Sequence, residues 1–344
     1  MKPDIRKLSL EEIKVYLINN GQKAFRAKQI YEWLWKKNVH DFSQMTNISK
    51  DLIRFLNQNF TIQHLRIDTI QKSNDGTIKT AFSLEDNKLV EGVLIPTDSR
   101  ATACVSCQVG CKVGCEFCAT AKLGLYRNLT AGEIYDQVFE IKRQAQENNL
   151  PFANVVFMGM GEPLMNYLNI NKAINLITSD AGLGMSPSRL TLSTAGIPTL
   201  IKKLADDGVK YNLAVSLHSA IDSVRSSIMK INDEYNLQEL SDAIKYFYTK
   251  TKTRVTFEYL LLDNINDGIK DAKALAEFCK AFPCKINIIE YNPTGDDRFR
   301  KSSPKKTDDF VNFLEKRNMI VHVRRSRGKD IDAACGQLAN KKKK

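Results

Sequence analysis

The sequence predicts an α/β protein whose main domain is built on a parallel sheet, open or closed into a barrel. A small helical module and a short antiparallel meander precede that domain. Three observations lead there. From about residue 100 onward, short apolar segments alternate with amphipathic ones, the pattern of strand–helix units. Residues 62–96 instead carry period-two segments separated by turn residues, and residues 8–60 carry a helical period. The composition, 43% hydrophobic and 26% charged over 344 residues, is that of a globular protein. It excludes collagen-like and intrinsically disordered chains, and the length allows one large domain with an appendage, or two domains.

The elements follow in order. In the N-terminal module, Ser9 is placed to cap a helix over 10–20, with Glu12 at the capping-box position. A second helix spans 24–37 and a third 49–59, with Trp33 and Trp35 read as core residues. Strands are expected over 64–70, 79–84 and 89–96, with Asn74-Asp75-Gly76 as the first turn. In the main domain the expected strands are 154–158, 189–193, 212–217, 254–261, 285–291 and 320–324. The helices are 130–147, 168–179, 197–206, 237–248, 267–281 and 304–317. The implied division is 1–60, a helical accessory domain; 61–99, a meander leading into the core; 100–330, the core; and 331–344, a C-terminal segment with a basic tail. In such parallel sheets ligands sit at the C-terminal strand ends.

Charge narrows the partners. The formal charge is +12, and the excess sits at the ends: +5 over residues 1–60 and +8 over 295–344, around a middle of −1. Basic ends suit a polyanion such as nucleic acid, although basic residues also simply keep a protein soluble. No apolar run reaches the length of a membrane span, and the first residues lack the apolar stretch of a signal peptide. The expectation is a soluble, cytoplasmic monomer without membrane association.

Five of the eight cysteines fall within fifteen residues: Cys104, Cys107, Cys111, Cys115 and Cys118. The absence of a signal peptide argues against a secreted disulfide framework and for metal or redox chemistry. Cys111, Cys115 and Cys118 have the spacing C-x3-C-x2-C, which suits an iron–sulfur cluster with one iron left open. The competing reading is zinc on two C-x2-C pairs, Cys104/Cys107 and Cys115/Cys118. Its seven-residue spacer is short for a zinc ribbon, and it gives Cys111 no task. Cys279 and Cys284 are read as structural thiols.

C-x3-C-x2-C ahead of an alternating β/α domain resembles the radical S-adenosylmethionine (SAM) superfamily. Six further stretches narrow the match: Cys104-Val-Ser-Cys-Gln-Val-Gly-Cys111, Phe157-Met-Gly-Met-Gly-Glu-Pro-Leu164, Thr191-Leu-Ser-Thr-Ala-Gly196, Ser216-Leu-His218, Cys284-Lys-Ile-Asn287, and the run from Gly328 through Cys335 to Leu338. Together they resemble the RlmN/Cfr family of rRNA adenine methyltransferases over residues 8–340. The resemblance implies a partial (β/α)6 barrel. It also implies a [4Fe–4S] cluster on Cys111, Cys115 and Cys118, with SAM on the open iron. Gly161 and Glu162 would bind the methionyl end of SAM, and Ser193, Ser216, Leu217, His218 and Asn292 would line the rest of its pocket. Read alone, His218 is an ordinary structural histidine and the two glycines a plain strand-ending turn.

The same resemblance implies a two-SAM reaction. One SAM methylates Cys335. Reductive cleavage of a second yields a deoxyadenosyl radical that takes hydrogen from the methyl-cysteine, and the methylene radical adds to an electron-poor adenine carbon. Cys104 then resolves the protein–RNA adduct, leaving a Cys104–Cys335 disulfide. Glu91 matches a proton-acceptor position; its bland reading is a solvent-facing strand residue. Cys107, where relatives generally have Ser or Thr, is a second candidate resolver. Pro163 points to the C2-methylating type rather than the C8-methylating type. The expected substrate is C2 of adenine 2503 in 23S rRNA, with adenine 37 of some tRNAs as a second target, and the N-terminal module and the stretch Arg324-Arg325-Ser-Arg327 are the candidates for contacts to the RNA backbone. The expected helpers are an electron donor such as flavodoxin or ferredoxin and a thiol reductant. A non-catalytic zinc-binding RNA protein is the alternative of a different class.

Overall fold

The structure is a computed structural model that describes residues 2–340. The terminal lysines of the predicted basic tail, 341–344, lie outside the described residues. Ten strands form one open sheet. An antiparallel arm comes first: β1 (Arg66–Lys72), β2 (Ile78–Ser83), β3 (Leu89–Thr97) and β4 (Arg100–Cys104) pair in that order. A separate hairpin, β5 (Gln108–Gly110) with β6 (Leu125–Asn128), stands outside the sheet. From β4 the sheet continues in parallel through β7 (Phe152–Phe157), β8 (Leu190–Thr194), β9 (Asn212–Ser216), β10 (Val255–Leu261), β11 (Cys284–Glu290) and β12 (Val321–Arg324).

The parallel run begins one strand earlier than the periodicity indicates. Arg100-Ala-Thr-Ala-Cys104 lacks the large β-branched residues that mark buried strands, so its strand signal is weak. Its pairing with both β3 and β7 holds it in the sheet. The hairpin β5–β6 was also not legible, because each strand is short and its register is set by glycines. At Gly110 (φ +79°) an added Cβ would lie 1.8 Å from the Gly124 carbonyl oxygen.

Helices fall where their caps place them. Ser9 accepts the Glu12 N–H (3.2 Å) and the Glu12 carboxylate accepts the Ser9 N–H (2.7 Å), opening the helix Leu10–Asn19. Thr130 and Glu133 make the same box at the start of Ala131–Glu147. Trp35 is buried; Trp33 is only half-buried, its indole N–H donating to Asn47. The two short helices Asp222–Ile228 and Ile231–Glu234 were not foreseen.

The N-terminal module joins the core through a buried ion pair. Arg6 grips Asp136 of the helix Ala131–Glu147 with two hydrogen bonds of 2.6 and 2.9 Å, and His64 lies 3.2 Å from the same carboxylate. The Trp35 ring lies 4.5 Å from the guanidinium carbon. Although burial alone raises the Asp136 carboxyl, Arg6 and His64 hold it well below the usual range. Asp136→Asn leaves a buried guanidinium without its charge partner. We expect a loss of about 3–5 kcal/mol by urea denaturation. Because the folded carboxyl is depressed, its contribution in the native chain is present above the unfolded value near 4 and is lost as pH falls below it. The stability difference between native chain and variant therefore narrows in acid.

Candidate active site

The C-terminal ends of the parallel strands surround a cavity of about 390 Å³, and most predicted site residues line it. The strand β7 delivers Phe157 and then Met158-Gly-Met-Gly-Glu162, which runs against residues 105–108. That close approach requires glycine: a Cβ on Gly161 (φ +102°) would lie 2.5 Å from Gln108 Cβ, and one on Gly159 would lie 2.8 Å from the Val105 backbone. Glu162 is buried; its carboxylate accepts the N–H of Ala195 (2.7 Å) and of Leu164 (3.0 Å). Each oxygen keeps acceptor capacity for a further donor. Burial raises its pKa against these hydrogen bonds.

Ser193 and Ser216 come from the ends of β8 and β9, and His218 follows in the left-handed region (φ +55°). The His218 Nδ1 accepts the Leu260 N–H (3.0 Å), which leaves the proton on Nε2, and Phe117 meets the ring edge-on at 5.0 Å. Burial pulls its pKa down to about 3, so the imidazole is neutral. Gly161, Glu162, Ser193, Ser216 and His218 all line the cavity; Leu217 and Asn292 do not. Leu217 is fully buried, its N–H on the Glu258 carbonyl (3.0 Å). Asn292 donates to the Cys335 carbonyl (3.3 Å), so it supports the peptide that carries that cysteine.

Cys111, Cys115 and Cys118 project into the same cavity from the loop between β5 and β6. The Cys111 N–H donates to the Gly124 carbonyl (2.9 Å) and the Cys118 N–H to the Cys115 carbonyl (3.1 Å), which shapes the loop. Among the described residues no three Cys, His, Asp or Glu side chains are gathered closely enough to hold a single metal ion. The donor set suits a larger body: three soft sulfurs around one cavity that Glu162 and the two serines also line. Burial pushes the Cys111 thiol up to about 12 and Cys115 well above its usual value. A bound metal reverses that balance by drawing off the protons. The four-thiol zinc set is divided by the fold: the Cys107 thiol faces the Met160 carbonyl (3.5 Å), outside the cavity that Cys104, Cys115 and Cys118 share.

Cys104, at the end of β4, and Cys335 both line the cavity, and Cys335 is open to it. The C-terminal segment reaches this position by crossing back from β12. Gly328 N–H donates to the Asp75 carboxylate (2.9 Å), and Ser73 Oγ donates to Asp330 (2.6 Å). Ala119 N–H donates to the Gly336 carbonyl (2.8 Å) and Thr120 Oγ1 to the Leu338 carbonyl (2.6 Å), so the segment is fastened directly to the cysteine loop.

Glu91 is not the solvent-facing residue of its bland reading: it is 2% exposed. Nor does it line the cavity. One carboxylate oxygen accepts the N–H groups of Ala339 (2.9 Å) and Asn340 (3.1 Å), and the other pairs with buried Lys79 (3.3 Å). Lys79 in turn donates to the Asp332 carbonyl (3.3 Å). The pair clamps both ends of the segment that holds Cys335.

Three residues here escaped the sequence reading. Glu258 faces the cavity from β10, held by Asn287 (2.8 Å) and by Arg324 (3.4 Å). Arg324, expected to meet an RNA backbone, thus turns inward; its guanidinium also lies 3.9 Å from the Met158 sulfur. Burial pushes the Cys104 thiol up to about 12 and raises Cys335, while Arg324 opposes both shifts. A lone carboxylate in the apolar run Val255–Leu261 was the available signal for Glu258. The third residue is Arg225, fully buried behind the pocket.

Comparison with known proteins gives the same picture. Residues 4–62 match the family model for the ribosomal RNA large subunit methyltransferase N-terminal domain, and residues 105–279 match the radical SAM superfamily model. A probable dual-specificity RNA methyltransferase RlmN of Flavobacterium johnsoniae is 54% identical over 99% of this chain and 98% of its own. The chain belongs to the RlmN family of radical SAM methyltransferases. A dual-specificity RNA methyltransferase RlmN of Campylobacter fetus is 43% identical over 95% of this chain and 96% of its own. The crystal structure of a radical SAM methyltransferase from Sphaerobacter thermophilus superposes with a TM-score of 0.92 at 39% identity, covering 98% of this chain and 99% of that one. Family membership brings a [4Fe–4S] cluster and SAM as the cofactors and RNA modification as the activity. No helix among the described residues is long and apolar enough to cross a membrane.

Proposed function

We propose that this chain methylates C2 of adenine 2503 in 23S rRNA, and adenine 37 of some tRNAs, through a methyl-cysteine on Cys335. The observation that carries the reading is the shared cavity. Cys335 and Cys104 line one space with Cys111, Cys115 and Cys118 and with Glu162, Ser193, Ser216 and His218. Cys111, Cys115 and Cys118 would hold the cluster, which would supply the electron for reductive cleavage of SAM.

The chain's own groups do the rest. Glu162 offers acceptors to the ammonium of SAM, and the neutral His218 offers an Nε2–H donor. The Cys335 sulfur takes a methyl group from one SAM; that methyl gives one hydrogen atom to the deoxyadenosyl radical of the second, and the resulting carbon bonds to the adenine. After the adduct has given back one electron and the adenine its proton, Cys104, which lines the same cavity, attacks the Cys335 sulfur; the disulfide forms as the sulfur–carbon bond breaks, and the released carbon takes a proton. Cys104 is the resolver in this scheme because the cavity reaches it and does not reach Cys107. Glu91 acts in this reading by holding the carrier segment; accepting the adenine proton would first require it to release the N–H groups of Ala339 and Asn340. The division of the chain into an RNA-gripping module over 1–60 and a catalytic remainder is part of the same proposal, as are a flavodoxin- or ferredoxin-type electron donor, a thiol reductant and a monomeric state.

The test is mass spectrometry of nucleosides from 23S rRNA of cells with and without the gene. We expect C2-methyladenosine at position 2503 only when the gene is present. C8-methyladenosine there instead would mean the C8-directed type, and no difference would remove rRNA as the substrate.

A further inference from the structure

We infer that Arg225 is a positioning residue for the cofactor site: its buried guanidinium fixes the three strand-end carbonyls behind the SAM pocket and serves as the counter-charge of the thiolate-bound cluster. The inference rests on the reading of Cys111, Cys115 and Cys118 as cluster ligands.

The side chain is 0% exposed. Nε donates to the Leu217 carbonyl (3.1 Å), one terminal nitrogen to the Ala195 carbonyl (2.6 Å) and to that of Ser216 (3.4 Å), and the other to Asn232 Oδ1 (2.9 Å). These carbonyls belong to the ends of β8 and β9, where the pocket residues Ser193, Ser216 and His218 sit. The same Ala195 peptide that receives Arg225 through its oxygen donates its N–H to Glu162. One guanidinium therefore sets the geometry of both the Glu162 arm and the Ser216–His218 arm. Gly196 belongs to the same contact: a Cβ there (φ +100°) would come within 3.5 Å of the guanidinium.

The charge has no carboxylate at ion-pair distance among the described residues. Asp222 stands nearby, but its carboxylate serves the Leu237 N–H (2.9 Å) and Asn232 Nδ2 (3.1 Å). Burying an arginine without an ion pair is costly unless something negative faces it. The backbone shows what does. The Arg225 carbonyl accepts the Met229 N–H (2.7 Å), Met229 pairs in an antiparallel bridge with Cys115, and the Glu116 N–H donates to the Ile228 carbonyl (3.0 Å). The helix that carries Arg225 is thus docked, at its C-terminal end, onto the cysteine loop. Burial pulls the guanidinium down to about 10, while the nearby Cys115 and Asp222 act to raise it. Three thiolates on a four-iron cluster give a net negative body, and one-electron reduction makes it more so. A fixed positive charge in a dry site favours the reduced form.

The test is a potentiometric titration of the reconstituted holoenzyme, followed by electron paramagnetic resonance, together with SAM binding. Arg225→Gln is expected to make cluster reduction at least tenfold less favourable, 59 mV for one electron, and to weaken SAM binding. Arg225→Lys, which keeps the charge and loses the fork, should weaken SAM binding while the reduction equilibrium stays within threefold of the native chain. Asp222→Asn removes a neighbouring carboxylate charge and should ease reduction. A fully loaded Arg225→Gln protein with an unmoved potential would overturn the counter-charge role. If Arg225→Gln does not load a cluster, Asp222→Asn decides, and an unchanged or less favourable reduction there overturns the role equally. Failure of the native chain to take up a cluster would instead overturn the reading beneath it.

Discussion

Replacing Cys111, Cys115 or Cys118 by Ala should reduce deoxyadenosine formation from SAM to background, and the reconstituted variants should lack the visible absorption of an iron–sulfur protein. The reason is in the donor count. Three sulfurs come from one loop; Cys107 is turned away against the Met160 carbonyl, and Cys104 and Cys335, which share the cavity, belong to β4 and the C-terminal segment rather than to that loop. A cluster with two protein ligands is poorly held, and the iron that SAM approaches is no longer unique. The loop itself is fastened by backbone hydrogen bonds to Gly124 and Ile228, so the variants should fold with little loss of stability. Full deoxyadenosine production by any of the three would remove the ligand assignment.

Replacing the two thiols proposed as carrier and resolver should separate their roles. Cys104→Ala should accumulate protein covalently joined to RNA, because the methylene carbon still forms on Cys335 and attacks, while nothing displaces the Cys335 sulfur. Cys335→Ala should give neither adduct nor methylated RNA. Cys107→Ala should turn over nearly as the native chain, since its thiol is buried against the Met160 carbonyl and does not reach the cavity. Denaturing gels before and after nuclease treatment read all three. Adduct on Cys107→Ala and none on Cys104→Ala would exchange the roles of those two residues.

The strand–helix alternation was legible because apolar runs such as 254–261 and amphipathic stretches such as 131–147 each carry a clear period. What escaped was set by contacts rather than by period. The strand Arg100–Cys104 is held by neighbours on both sides, and the hairpin β5–β6 depends on two glycines meeting. Most of the site was legible because glycines, cysteines and single polar residues fall where apolar strands end. The burial of Glu91 was not legible because alternation along a strand gives a side chain's face but not what lies over it; here the C-terminal segment, 248 residues later in the chain, covers it. Arg324 was placed on the RNA side because charge alone gives no direction, and its partner Glu258 is distant in sequence. Arg225 had no motif to mark it, since it touches backbone carbonyls rather than a ligand.

The central claim is that the transferred carbon passes through Cys335. Single-turnover methylation with SAM bearing a trideuterated methyl group tests it directly. If Cys335 carries the carbon, one deuterium leaves with deoxyadenosine and the methyl group on RNA retains the other two. Transfer of an intact trideuterated methyl group, with no deuterium in deoxyadenosine, would contradict the account.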